Sequence, residues 1–169
     1  MATTTELRTL ARARLKDAQI LFAAKRYGAA TYLCGYAVEM ALKARIGKTL
    51  GWANFPETNK EFCQLTCFQV EKYLKSQRIQ KLYHINPNDF CDFYEDYFQN
   101  PRFLNTHNLD TLLIFSGAET KVKTNFNVEW TLVCDGWSVE NRYRKKIGTE
   151  TKSTATTMLD AVKRLLTIL

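Results

Sequence analysis

Between Gly28 and Ile46 the chain has almost no polar face. Ala29, Ala30, Tyr32, Leu33, Cys34, Tyr36, Ala37, Val38, Met40, Ala41, Leu42 and Ala44 fill the stretch, and no proline interrupts it. A helix that is apolar nearly all the way round belongs in the centre of a bundle, so other helices must surround this one. Its ionisable residues then become informative. Glu39 and Lys43 stand at i and i+4 in the favourable acid-before-base order, a pairing worth about 0.2–0.5 kcal/mol on a helix surface. On a buried helix the same two groups need complete hydrogen-bond partners, because a lone buried charge costs several kcal/mol.

The surrounding helices are legible from periodicity. From Glu6 to Lys25 the residues Leu7, Leu10, Ala11, Leu15, Ala18, Leu21 and Phe22 form one apolar stripe, with the spacing of an amphipathic helix. Arg8, Arg12 and Lys16 recur every fourth residue on a neighbouring face as a basic stripe, whereas Arg14 falls within the apolar arc and must snorkel or find an acid. Gly47, Gly51, Asn54 and Pro56 close the central helix. Glu61–Tyr83 and Asn88–Phe98 read as two shorter helices, the second rich in aromatics. Thr106 or Asn108 is placed to cap a helix carrying Leu109, Leu112, Leu113 and Phe115 that ends at Gly117. The spacing of Trp130, Val133, Cys134 and Trp137 predicts a helix over Asn127–Val139. Ser153 or Thr154 is expected to cap a last amphipathic helix through Leu159, Val162, Leu165, Leu166 and Leu169. The fold class expected is all-α: an antiparallel up-and-down bundle forming one domain over residues 1–169, with a helical insertion around residues 61–100.

Composition narrows the function classes. The chain has 169 residues, 46% hydrophobic and 24% charged, ordinary for a globular domain. It has no apolar run long enough to cross a membrane, and its first six residues are a polar, Thr-rich stretch unlike a signal peptide, so a cytoplasmic protein is expected. Five cysteines, an odd number, do not form a disulfide framework. Cys63 and Cys67 are four apart but lack further ligands, so no metal site is expected. The net charge of +7 divides unevenly, with +6 in residues 1–60, −2 in 61–100 and +3 in 101–169. That distribution is compatible with a phosphate-bearing partner or with a solvated helix face. No phosphate-cradling Gly-rich loop and no Ser/His/Asp order is present, which disfavours kinases, NTPases and triad hydrolases.

The run Arg14-Leu15-Lys16-Asp17-Ala18, followed by Arg26-Tyr27-Gly28-Ala29-Ala30-Thr31-Tyr32-Leu33-Cys34-Gly35-Tyr36-Ala37-Val38-Glu39-Met40-Ala41-Leu42-Lys43-Ala44, closely resembles the opening helix pair of the HEPN domain (higher eukaryotes and prokaryotes nucleotide-binding). Thr106-His107-Asn108-Leu109-Asp110-Thr111-Leu112-Leu113 resembles the family's His-x-Leu-x-x-Leu helix start. Trp137-Ser138-Val139-Glu140-Asn141-Arg142-Tyr143 resembles its Trp…Arg-Tyr element. These matches fall in the family's order across residues 14–143, while residues 61–100 match nothing in it. The resemblance implies an antiparallel bundle, often a homodimer and often paired with a minimal nucleotidyltransferase as a toxin–antitoxin system. It also implies either nucleotide, RNA or protein binding, or metal-independent endoribonuclease activity through an Arg-x(4–6)-His motif; no cofactor is implied.

Candidate site residues follow. An RNA-cleaving site of this kind needs a proton-transferring imidazole and a cation at the phosphate. Arg102 and His107 fit that spacing, as do Arg78 and His84, but the family's late-helix position corresponds to Arg142-Tyr143, after which no His follows. His107 matches the helix-start His instead. The candidate catalytic pair is therefore Arg102 and His107, and the candidate ligand-binding residues are Glu39, Lys43, Arg142 and Tyr143. In the functional reading Lys43 and Arg142 hold phosphate oxygens, His107 contacts or protonates the ligand and Glu39 orients a cation. In the structural reading these charges form a buried network that fixes helix register. Three functions stay open: a nucleotide- or RNA-binding partner of a nucleotidyltransferase, an endoribonuclease, and an interaction module using the Phe90–Phe98 segment.

Overall fold

The computed structural model describes residues 2–56, 58, 61, 106–140 and 150–169. The described residues form an all-α bundle of six helices with one very short two-stranded sheet. Helix α1, Thr4–Ala23, starts three residues before Leu7, the first residue of its apolar stripe. Thr3 caps it by accepting the Glu6 N–H at 3.1 Å, while the Glu6 carboxylate accepts the Thr3 N–H at 2.8 Å. This reciprocal box satisfies two donors that a helix end leaves open. Arg14 resolves its position by pairing with Asp17 at 2.9 Å. A tight turn with Lys25 in the left-handed region, φ 59°, reverses the chain into α2, Tyr27–Leu50, which ends on Gly51 at φ 71°.

Helix α2 is the central helix that its composition requires. Fourteen of its residues are buried, and it packs against α1 and against two later helices, α3 (Leu109–Ser116) and α6 (Lys152–Leu165). Burying each large aliphatic side chain stabilises by about 1.5–3 kcal/mol, so α2 is the main source of core stability. The start of α1 lies against the end of α2 so closely that a Cβ at Gly47 would stand 2.5 Å from Thr4 Cγ2. The strands β1 (Ala2–Thr3) and β2 (Asn54–Phe55) pair antiparallel beside that contact.

Polar side chains on α2 tie down two other chain ends. Arg45 Nε donates to the Ser116 carbonyl at 3.2 Å, and Arg45 Nη1 donates to the Ile168 carbonyl at 2.8 Å; Thr49 also donates to Ser116. A guanidinium at helix C-termini satisfies open carbonyls and complements the dipole.

Four details differ from the sequence expectation. Gly47, expected to help close the central helix, lies buried inside α2, which runs on to Leu50. A short helix α4, Glu119–Asn125, stands where none is expected; it buries Val122 alone and so has no stripe to announce it. Helix α5, Asn127–Gly136, stops before Trp137, which turns extended at φ −130° and ψ 133°. The last helix is capped by Thr151, because its hydroxyl accepts the Thr154 N–H and Thr154 answers the Thr151 N–H. The expected helices at 61–83 and 88–98, and so the insertion, lie outside the described residues. No described helix is long and apolar enough to cross a membrane.

Candidate functional site

Residues 35, 39 and 43 fall on one face of α2 by their four-residue spacing. Trp137 covers the first of them. Its ring lies so close that a Cβ at Gly35 would stand 2.1 Å from Trp137 Cγ, and its indole N–H donates to the Tyr32 carbonyl at 3.0 Å. Only glycine leaves room for that ring. One turn further on, Glu39 is 1% exposed, a carboxylate that the core tolerates only because it is fully partnered.

Its partners come from two directions. Lys43 Nζ donates to Glu39 Oε1 at 2.6 Å and stands 5.8 Å from the centroid of the Phe55 ring. His107 Nδ1 lies 3.0 and 3.1 Å from the two Glu39 oxygens. The turn ahead of α3 sets the imidazole there. Thr106 Oγ1 accepts the Asn108 N–H at 3.0 Å, and Asn108 Oδ1 caps α3 by accepting the Thr111 N–H at 3.0 Å. A carboxylate accepts hydrogen bonds and cannot donate them, so His107 Nδ1 carries the proton; in the neutral ring Nε2 is then a hydrogen-bond acceptor. The His107 side chain is 54% exposed.

Beside it opens a groove of about 500 Å³. Leu109, Trp137 and Val139 supply its apolar lining, and Thr106, His107, Asn108, Asp110, Ser138 and Glu140 its polar one. Asp110 accepts from the Trp130 indole N–H at 2.9 Å and from Lys123 Nζ at 3.4 Å. Cys134 also lines the groove. Burial above all, with the Asp110 carboxylate adding to it, pushes its thiol up to about 12. At neutral pH that sulfur is protonated and is no nucleophile. The core thiol of Cys34 is likewise pushed up to about 12 by burial.

Glu39, Lys43 and His107 thus meet, although the last is 68 residues from the first. The Lys43 ammonium faces Glu39 and Phe55 and compensates the carboxylate. Arg102, Arg142 and Tyr143 lie outside the described residues, as do Arg78, His84, Cys63, Cys67, Cys91 and the basic turn around Arg144. Arg8, Arg12 and Lys16 are exposed on α1. Among the described residues no group of three His, Cys, Asp or Glu side chains could hold a metal ion. Sequence reasoning passed over Asp110, Ser138 and Glu140. Each lies inside one of the two later family-like segments, and that position was the available signal.

An all-α bundle with a carboxylate-held imidazole on an open groove is the class that the geometry defines. Compared with family models, curated proteins and solved structures, the chain matches none.

Proposed function

We propose that this chain is a HEPN-like protein that binds nucleotide or RNA in the groove beside His107, as an accessory or toxin-like partner of a minimal nucleotidyltransferase. One observation carries the reading: a buried carboxylate, Glu39, aims a half-exposed imidazole at a groove of about 500 Å³, a size suited to a nucleotide-sized ligand. The family-like segments support the ligand class, because each contributes to this one locus: Glu39 and Lys43 from the first, His107 from the second, Ser138 and Glu140 from the third.

A second reading is favoured by the same imidazole. A histidine oriented by a carboxylate is the usual arrangement for proton transfer, and in RNA it would take the proton of a 2′-hydroxyl attacking the adjacent phosphorus. The 5′-oxygen then leaves with a proton, giving a 2′,3′-cyclic phosphate and a 5′-hydroxyl. Arg102 is the cation of this reading.

Incubating the protein with mixed RNA in EDTA, beside a His107→Ala variant, tests both. Cleavage that the variant loses establishes the ribonuclease. Without cleavage, a nucleotide-dependent rise in melting temperature that His107→Ala abolishes establishes the binding protein. Neither effect with any nucleotide or RNA would overturn the proposal.

A further inference from the structure

The basic stripe of α1 lies on the surface of the bundle. Arg8, Arg12 and Lys16 are exposed, and none of them meets an acid among the described residues. The acids of α1 are Glu6 and Asp17, and both are committed: Glu6 closes the Thr3 capping box, and Asp17 pairs with Arg14 at 2.9 Å. Elsewhere Lys43, Lys123, Lys163 and Arg164 each have a carboxylate partner, so three cations in line without one stand apart. Like charges at i and i+4 destabilise a helix, and the fold gains nothing from this row. Four residues advance a helix by about 6 Å, so the three side chains form a row about 12 Å long.

The neighbours on the same exposed side keep the row open. Thr5, Thr9 and Ala13 are short, and the Thr9 hydroxyl turns back to donate to the Thr5 carbonyl at 3.0 Å. Ile20 is the only large apolar side chain exposed on α1, whose buried residues Leu7, Ala11 and Ala18 face the core. A protein partner wants an apolar patch at the centre of its contact, and a helix lying on a membrane wants a free apolar face. This row offers neither. A polymer with a phosphate at every step matches it, because such a strand meets all three cations at once, whereas a mononucleotide presents its charge at one end.

We infer that the exposed side of α1 binds the phosphate backbone of a single-stranded nucleic acid, RNA in the reading above, through Arg8, Arg12 and Lys16. The inference rests on the RNA side of that reading and adds a second surface to it, none of whose residues lines the groove. Backbone contacts position a strand and carry no sequence information, so this row sets affinity and leaves selection of the strand to other contacts.

Fluorescence anisotropy of a labelled mixed-sequence RNA of about 12 nucleotides, within the usual site size for single strands, tests the inference. The full chain is compared with two triple variants of equal charge change. One carries Arg8→Gln, Arg12→Gln and Lys16→Gln; the other carries Lys48→Gln, Lys121→Gln and Lys152→Gln, exposed cations off the row that likewise meet no acid among the described residues. The α1 variant should bind about tenfold more weakly or worse, and its plot of log affinity against log salt should be shallower by about 2, from three contacts at about 0.7 each. The control should lose less than about threefold, and a DNA strand of the same sequence should show the same contrast, because the contacts are to phosphate. Melting temperatures should stay at the parent value in both variants. Equal losses in the two variants, an unchanged salt slope, a contrast seen with RNA alone, or no RNA binding by the parent chain would each overturn the inference. Binding of phosphatidylserine vesicles or of poly-glutamate as tightly as RNA would overturn it too. None of these results touches the mononucleotide-dependent melting shift that His107→Ala abolishes. Loss of that shift and of cleavage, with α1-dependent RNA binding intact, would overturn the groove reading alone.

Discussion

Two carboxylates are buried among the described residues, Glu39 on α2 and Glu129 on α5, and their settings differ. Glu129 pairs with Arg164 of α6, whose guanidinium stands 5.9 Å from the centroid of the Phe126 ring. That pair ties one helix to another, and its cation is charged at any working pH. Glu39 instead meets a Lys on its own helix at Oε1 and an imidazole from another element at both oxygens, and the imidazole borders a groove. Burial of an acid therefore says little about function until its partner is known. A titratable, half-exposed partner beside an open groove is what separates Glu39 from Glu129.

The comparison can be broken by substitution. The largest effect should come from Glu39→Ala, which leaves the 13% exposed Lys43 side chain without its anion; urea denaturation should show a loss of about 3–5 kcal/mol. A loss below about 1 kcal/mol would mean that the cluster does not hold the core. Gly35→Ala, one turn away on the same face, should cost about 3 kcal/mol, because the Trp137 ring must leave its seat; a change in Trp fluorescence should accompany it. Glu129→Ala should cost only about 1 kcal/mol, since the Arg164 side chain is 63% exposed and returns to water. It should leave any nucleotide-dependent rise in melting temperature unchanged, whereas its loss would erase the distinction between the two acids.

The smallest effect concerns Glu6, the exposed counterpart of both. Hydrogen bonds from the Thr3 backbone first, and from its hydroxyl second, hold its carboxyl below the usual value of 4.5. A lowered folded-state pKa contributes stability that is present above the unfolded value and is lost as pH falls through the folded one. Melting temperatures measured from pH 6 downward should therefore fall less steeply below about pH 4.5 in Glu6→Gln than in the parent chain.

The bundle was largely legible in the sequence, for reasons visible in particular residues. A helix as apolar as α2 has one destination, and the i, i+4 order of Glu39 and Lys43 announced their pairing. Residue type and position offered Thr106 or Asn108 as the cap of α3, and Asn108 takes it. The rest required tertiary contact. Helix α4 buries only Val122 and has no periodicity to find. Trp137 fits a helical spacing, but it leaves α5 to lie on Gly35, a surface that only the fold creates. Likewise His107 reaches Glu39 across 68 residues. Its place in a family-like segment marked it as a candidate, but no spacing rule gave it a carboxylate.

The central claim is that the buried Glu39 carboxylate fixes the His107 ring by accepting from a proton-bearing Nδ1. Long-range ¹H–¹⁵N NMR correlations of the imidazoles, with His107 assigned by its loss in His107→Ala, report this directly. The structure predicts that His107 Nδ1 carries a proton and donates it to Glu39. A ring protonated mainly at Nε2 would contradict it.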